Sequence, residues 1–396
     1  MTVSASAPVS TICIDGRLLH EARSGVSHYA ARLAGTLTRY GSPPLQLDSQ
    51  APAGSIASAR GSDPRRVLHA LRPWPRFART VLTPHGERLI GSDLFREAYL
   101  HFKFTGRLMP VRCDRAPGIM HWTYPVPLIM RGWRNVYTVH DLIPLQEASL
   151  SPVRPARIGR LIAAIARRAD RIVTVTDAVR DEVIAAFGCP PALVVNSLQS
   201  VDCERPADGA PLGADAPFIF CGSIEPRKNL ERLAQAYRRS GSARPLLIVG
   251  EDGWRADDVR AAIGAVAGIR FMPFQGRAAL LELMARARAL LFPSLAEGFG
   301  LPVAEAMTLG TPVMTSNLPA LREVAGGAAL LVDPLDIDAM ARAIRRLDED
   351  DGLRAALQQQ GWAKAVDYAP AAYYERLQRI YADVERHPRS ASGKGL

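Results

Sequence analysis

Pro293-Ser294-Leu295-Ala296-Glu297-Gly298-Phe299-Gly300-Leu301-Pro302-Val303-Ala304-Glu305-Ala306-Met307 follows the apolar run Ala289-Leu290-Leu291-Phe292. The run reads as a buried strand and the two glycines as a loop. Pro302 reads as the start of a helix, because its fixed φ and missing N–H suit a first helical turn. Such a unit aims unpaired backbone N–H groups and the positive end of a helix dipole at the crevice beyond a parallel sheet, which makes an anion site. Gly298 and Gly300 are expected to let a ligand approach the main chain with no Cβ in the way. Glu305, one turn into the helix, is placed to hydrogen-bond vicinal hydroxyls, and Glu297 in the loop to reach a second set one sugar or phosphate unit away.

Outward from this unit, the C-terminal half alternates short apolar runs with helical patterns, as βαβ units in a parallel sheet do. Strands are expected at Phe218–Cys221, Pro245–Val249, Ile269–Met272, Ala289–Phe292, Pro312–Thr315 and Ala329–Val332, with helices near 229–239, 255–266, 277–287, 302–309, 319–325 and 336–347. That makes a complete doubly wound domain. Its first strand leads into Gly222-Ser223-Ile224-Glu225-Pro226-Arg227-Lys228-Asn229. This loop places Arg227 and Lys228 beside the anion site, where they would neutralise a diphosphate leaving group. Asp336-Ile337-Asp338 has a DxD pattern, but it follows Pro334 and opens a helix, so it reads as a helix cap and no metal site is expected.

The N-terminal half starts in the same way, with a strand at Thr11–Ile14, a loop carrying Gly25 and a helix from Val26 to Tyr40. Residues 50–117, rich in Pro, Gly, Ser and Arg, read as an irregular, mobile insertion. Order returns with strands at Gly118–His121, Val136–Val139 and Arg171–Val175, a helix across 154–168, and a helix capped by Thr176 or Asp177. His140 ends one of these strands, where α/β domains place functional groups. His121, with Trp122 and Tyr124 after another strand, has a similar position but is the weaker candidate for lining an acceptor cleft. The organisation expected is an N-terminal Rossmann-like domain at 1–200, a linker at 201–216, a C-terminal Rossmann-like domain at 217–365, a helix at 366–387 returning toward the first domain, and a tail at 388–396.

A chain of 396 residues exceeds one compact core and suits two such domains. No run approaches the ~18 apolar residues that span a bilayer. The N-terminus lacks the pattern of a signal peptide, and the five cysteines, without CxxC spacing, suggest a reduced compartment, so a cytoplasmic location is expected. The net charge of +10 is concentrated in two stretches. Arg60, Arg65, Arg66, Arg72, Arg76 and Arg79 interleave with Leu68, Leu71, Trp74 and Phe77; Arg154, Arg157, Arg160, Arg167, Arg168 and Arg171 form the second. Basic residues mixed with aromatic and aliphatic ones suit the anionic inner face of a membrane. Nucleic acid is not expected, since zinc spacing, helix-turn-helix grammar and RNA-binding strands are all missing. The turn after Phe218–Cys221 lacks the G-x-G-x-x-G of dinucleotide enzymes.

The Glu297-to-Glu305 segment resembles the E-x7-E signature of glycosyltransferase family 4, the retaining enzymes of GT-B fold, and Gly222–Asn229 resembles that family's diphosphate loop. Ile14-Asp15-Gly16-Arg17 with Ser24-Gly25-Val26-Ser27-His28-Tyr29, and Val139-His140-Asp141-Leu142-Ile143-Pro144, resemble its N-terminal glycine loop and its histidine strand end. The resemblance is weakest over 41–117. It implies two facing Rossmann-like α/β domains with a cleft between them, and retaining transfer of a hexose from a nucleoside-diphosphate sugar without metal or cofactor. It further implies Lys228 on the donor diphosphate, Glu305 on the ribose, and Glu297 on the sugar hydroxyls. Phe299, Gly300 and Leu301 would offer backbone contacts, His140 would face the transferred sugar, and Gly25 would approach the diphosphate or acceptor. Many relatives carry an arginine where this chain has Ser223, and Arg227 is the candidate replacement. The pairing of Glu-Pro-Arg-Lys-Asn with His-Asp-Leu-Ile-Pro resembles members that add mannose, from GDP-mannose, to glycans or polyprenyl-diphosphate-linked glycans of bacterial surface polysaccharides. The alternatives are another GT-B sugar-nucleotide enzyme, or a retaining glycoside hydrolase built on Glu297 and Glu305, which would need two carboxyl groups ~5–5.5 Å apart.

Overall fold

The computed structural model describes residues 10–20, 25–50, 72, 75–84, 86–204, 215–264, 266–273 and 276–387. Ten strands form the first sheet: β1 (Ile12–Asp15), β2 (Leu45–Gln50), β3 (Arg76–Thr83), β4 (Gly86–Ser92), β5 (Met109–Cys113), β6 (Ile119–Trp122), β7 (Leu128–Met130), β8 (Arg134–Val139), β9 (Arg171–Thr174) and β10 (Val194–Asn196). Their order is β10-β9-β8-β6-β1-β2-β4-β3-β5-β7, and every pairing but β3–β4 is parallel. β6 and β9 are buried along their whole length, as strands covered on both faces must be.

Six strands form the second sheet: β11 (Phe218–Cys221), β12 (Leu246–Val249), β13 (Ile269–Met272), β14 (Ala289–Phe292), β15 (Val313–Ser316) and β16 (Leu330–Val332). All pairings are parallel, in the order β13-β12-β11-β14-β15-β16. Strand order reverses between β11 and β14, so the loops leaving these two strands flank a crevice at the carboxyl edge, where open α/β sheets bind ligands. The two loops are the ones singled out from sequence.

The expectation of an irregular insertion at 50–117 is corrected for its described part. A β3–β4 hairpin, a helix Leu94–Thr105 and β5 extend the first sheet. The pattern escapes detection because β3 puts Phe77, Val81 and Leu82 in solvent and buries only Ala78, so the alternation that marks a half-buried strand is lost. Arg60, Arg65, Arg66, Leu68, Leu71 and Trp74, the linker residues 205–214 and the tail 388–396 lie outside the described residues. Two arginines leave the expected basic surface: Arg76 Nε donates to Glu97 at 2.5 Å, and Arg171 is buried and pairs with Asp383.

The last helix, Pro370–Arg386, packs back onto the first sheet and buries Tyr373, Leu377, Tyr381 and Val384. Further contacts join the two sheets' domains. Thr176 caps the helix Asp177–Phe187 by accepting from Val179 N, and its Oγ1 donates to the Gly298 carbonyl at 2.9 Å. The Glu323 carboxylate accepts from the Asp177 and Ala178 N–H groups at 2.8 and 3.1 Å, so one domain caps a helix of the other.

Candidate functional site

The crevice is a cavity of about 500 Å³ between the domains. Gly25, His140, Arg227, Lys228, Glu297, Gly298, Phe299, Gly300, Leu301 and Glu305 all line it, so the residues singled out from sequence come together in one place. Ser223 lines it too, with Arg227 nearby.

The loop after β11 is held against the loop after β14. Leu295 N donates to the Arg227 carbonyl at 2.8 Å, and Asn229 Nδ2 donates to the carbonyls of Pro293 and Pro334 at 3.0 and 2.7 Å. Gly222 adopts φ 142°, a conformation glycine alone takes readily, and its carbonyl occupies the space a Cβ on Gly250 would need. Lys228 is 7% exposed and donates to Glu297 Oε1 at 2.6 Å, with its ammonium 4.7 Å from the centre of the Phe292 ring. Arg227 Nη1 lies 3.0 Å from the same carboxylate oxygen and donates to the Ala296 carbonyl at 2.9 Å. Its Nη2 donates to Glu225 at 2.6 Å. Burial alone would raise the Glu297 carboxyl; Arg227 and Lys228 overcome this and hold it at about 2. Burial pulls the Lys228 ammonium below its ordinary range, against the pull of Glu297.

Gly298 and Gly300 also have structural reasons to be glycine. A Cβ on Gly298 would stand 1.9 Å from the His140 carbonyl oxygen, so the glycine lets the backbones of the two domains meet. Gly300 caps the helix Leu301–Leu309 at φ 84°, in the left-handed region. Phe299 is buried edge-on against Tyr368, at 5.6 Å between ring centres. Gly25 opens the helix Gly25–Tyr40 with open space at its Cβ position.

Glu305 is 2% exposed. Arg277 donates to both its oxygens, at 2.5 and 3.0 Å, and Arg32 Nη2 donates to Oε1 at 2.6 Å. Arg32 comes from the other domain and also donates to the Ser200 carbonyl at 3.0 Å. Sequence reading missed Arg32, Arg277 and the cavity-lining Glu251 and Asp252. Arg277 carried a signal, since a basic residue opening a helix works against the dipole and needs a local anion. So did Gly250-Glu251-Asp252-Gly253, a glycine loop leaving β12.

His140 Nε2 donates to the Thr123 carbonyl at 2.8 Å. A carbonyl can only accept, so this fixes the neutral tautomer with its lone pair on Nδ1. Burial pulls the ring down to about 4. Asp141 beside it is part-buried on the cavity wall, and desolvation there raises its carboxyl, with Arg227 opposing. His121, the weaker of the two histidine candidates, does not line the cavity. It is fully buried between Tyr381 Oη at 2.7 Å and Thr138 Oγ1 at 2.9 Å, because the last helix delivers Tyr381 onto it. Trp122 is likewise core, while Tyr124 remains partly exposed and accepts from Arg17 at 2.8 Å. Asp336 accepts from Ala339 N at 2.8 Å, and Asp338 pairs with Arg239, as helix-end residues do.

Residues 24–204 match the model of Glycosyltransferase Family 4, and residues 209–363 that of Glycosyl transferases group 1. The chain is 34% identical over 215 residues to the O-antigen chain mannosyltransferase B of Escherichia coli, covering 50% of this chain and 56% of that protein. It thus spans about half the length of that curated relative. It is 26% identical to the D-inositol 3-phosphate glycosyltransferase of Kineococcus radiotolerans, over 90% of each chain. The sucrose-phosphate synthase of Thermosynechococcus elongatus shares the two-domain fold, with a TM-score of 0.69 at 18% identity over 95% of this chain and 99% of that one.

Proposed function

The chain belongs to glycosyltransferase family 4 and has the GT-B fold, and on that premise we propose that it moves a hexose, with retention, from a nucleoside-diphosphate sugar to a glycan or polyprenyl-diphosphate-linked glycan. The donor is GDP-mannose and the setting is surface polysaccharide synthesis, a reading supported by the mannosyltransferase among its relatives. The observation that carries it is the convergence of Arg227 and Lys228, the Glu297–Leu301 loop and Glu305 on one cavity whose opposite wall bears His140.

Lys228 and Arg227 stabilise charge developing on the leaving diphosphate, and the part-buried carboxylates of Glu297 and Glu225 that hold them keep them positioned before the donor arrives. Glu305 shares its lone pairs with ribose hydroxyls, and Glu297 binds hydroxyls of the sugar. The protein forms no covalent intermediate in this scheme. The leaving phosphate accepts the proton of the acceptor hydroxyl on the face it departs from, so configuration is retained and the rate comes from position and electrostatics.

The geometry disfavours glycoside hydrolysis. A hydrolase needs one carboxylic acid with a raised pKa to protonate the leaving oxygen. Two cations hold Glu297 at about 2, and two guanidinium groups bind Glu305.

The lipid-linked acceptor is supported by the exposed mixture of Phe77, Arg79, Val81 and Leu82 on β3 and of Lys103 and Phe104 ending the helix Leu94–Thr105. Among the described residues no helix is long and apolar enough to cross a membrane. Arg79→Glu with Leu82→Asp should weaken binding to anionic vesicles, and unchanged binding removes the membrane contact. The test of the function is calorimetric titration with GDP, UDP, ADP, dTDP and NAD, with and without EDTA. Metal-independent binding of GDP, lost in Lys228→Ala and Glu305→Ala, is expected; binding of none, or binding indifferent to both substitutions, overturns the assignment.

A further inference from the structure

Beneath His140 lies a buried carboxylate that the proposed chemistry does not use. Asp15 ends β1 with no exposure to solvent. Its Oδ1 accepts from the Thr123 N–H at 2.5 Å and its Oδ2 from the Thr123 Oγ1 at 2.9 Å. Thr123 is itself fully buried, in the loop leaving β6, and its carbonyl is the acceptor that holds His140 Nε2. Three adjacent parallel strands, β1, β6 and β8, thus send one residue each into a single chain from Asp15 through Thr123 to His140.

On the opposite side the His140 ring meets Tyr29 edge-on at 4.7 Å, and Tyr29 is anchored to Thr138 at 3.0 Å. Nδ1 carries no hydrogen bond among the described residues, and the residue lines the cavity. A buried carboxylate is costly unless its lone pairs are satisfied, and the groups satisfying it become fixed in turn. Burial pushes the Asp15 carboxyl up to about 7, against the two Thr123 hydrogen bonds.

We infer that Asp15 is a positioning residue for glycosyl transfer: by clamping the amide and hydroxyl of Thr123, it aims the Thr123 carbonyl at His140 Nε2 and so presents the Nδ1 lone pair to the transferred sugar. The inference rests on the reading of His140 as a sugar-facing residue. Asparagine at position 15 can preserve the clamp, because its oxygen accepts the Thr123 N–H while its amide donates to Oγ1. Alanine cannot.

The test combines kinetics with ¹⁵N imidazole spectra of the full chain. In Asp15→Ala, kcat should fall about 100-fold, the loss expected of a group displaced by ~1 Å, with the Kd for GDP changed less than about threefold. The His140 resonances should move from a fixed Nε2–H form toward a mixture of tautomers. Asp15→Asn should restore both the rate and the spectrum. Thr123→Val, which loses one of the two clamping bonds, should fall in between, and it carries the test if Asp15→Ala does not fold. Wild-type kcat, or an unchanged His140 spectrum, in a folded Asp15→Ala overturns the inference, as does failure of Asp15→Asn to rescue. A wild-type rate in His140→Ala refutes the reading of His140 instead, and leaves the clamp to be judged by the spectra.

Discussion

Gly298→Ala should uncouple nucleotide binding from transfer. Gly298 lies outside the left-handed region, so alanine meets no backbone penalty of its own and the effect is steric. The added Cβ would stand 1.9 Å from the His140 carbonyl oxygen and 3.0 Å from Asp141 Cβ. An ordinary contact needs about 3.4 Å or more, so the two backbones must part by roughly 1.5 Å. No flexible side chain can turn aside, since the nearest obstacle is main chain of the facing domain. The Thr176 bond to the Gly298 carbonyl crosses the same interface and is strained by the same shift. Overpacking of this kind costs about 1–3 kcal/mol in stability, and ~1 Å of misplacement at a reacting centre costs about 100-fold in rate. Lys228, Arg227 and Glu305 belong to the domain of Gly298, so the GDP affinity should change less than about threefold. Initial rates of sugar transfer and calorimetry with GDP measure the two effects separately. Transfer at the wild-type rate would refute the claim that this contact sets the working distance between the domains.

Glu297→Ala leaves Lys228 buried without its carboxylate, while Arg227 keeps Glu225, and should cost about 3–5 kcal/mol in urea unfolding, whereas Lys228→Ala leaves Glu297 paired with Arg227 and should cost about 1–2 kcal/mol; equal losses would contradict the charge arrangement. Arg32→Ala keeps the two Arg277 bonds to Glu305 but frees a lone pair for a ribose hydroxyl, so GDP affinity should hold or rise. Affinity weakened more than about tenfold would mean that Arg32 itself contacts the nucleotide. Burial holds His140 at about 4 and His121 at about 3, so both stay neutral when folded while the unfolded chain takes up protons below about 6.5. Their stabilisation is therefore lost as pH falls from about 6.5 toward 4. Asp15, raised to about 7, acts in the opposite direction between about 7 and 4, and the two histidines outweigh it. Unfolding midpoints should correspond to about 2 kcal/mol less stability at pH 4.5 than at pH 7, and a midpoint rising on acidification would contradict the assignment.

The C-terminal domain was legible because its six strands are short apolar runs, each punctuated by a helix, and its two site loops announce themselves by glycine, proline and charge. The same rules fail at the far edge of the first sheet, where β3 exposes apolar residues on both faces. Long-range partners were equally hidden. Arg32 meets Glu305 and Tyr381 meets His121 only through the closing of the two domains and the return of the last helix. His121 and His140 look alike in sequence, as histidines at strand ends. One is core and the other lines the cavity because a distant tyrosine covers the first. Gly298 shows a related limit: its small size was legible, but the atom that requires it lies on the other domain.

The most direct test of the account is the rate of nucleoside-diphosphate release from GDP-mannose, UDP-glucose and ADP-glucose in the presence of α-mannoside acceptors, with the anomeric configuration of the product read by NMR. The account predicts GDP release coupled to an α-linked product, reduced about 100-fold or more in Lys228→Ala. Release from none of the three donors, or equal release by the wild type and Lys228→Ala, would contradict it.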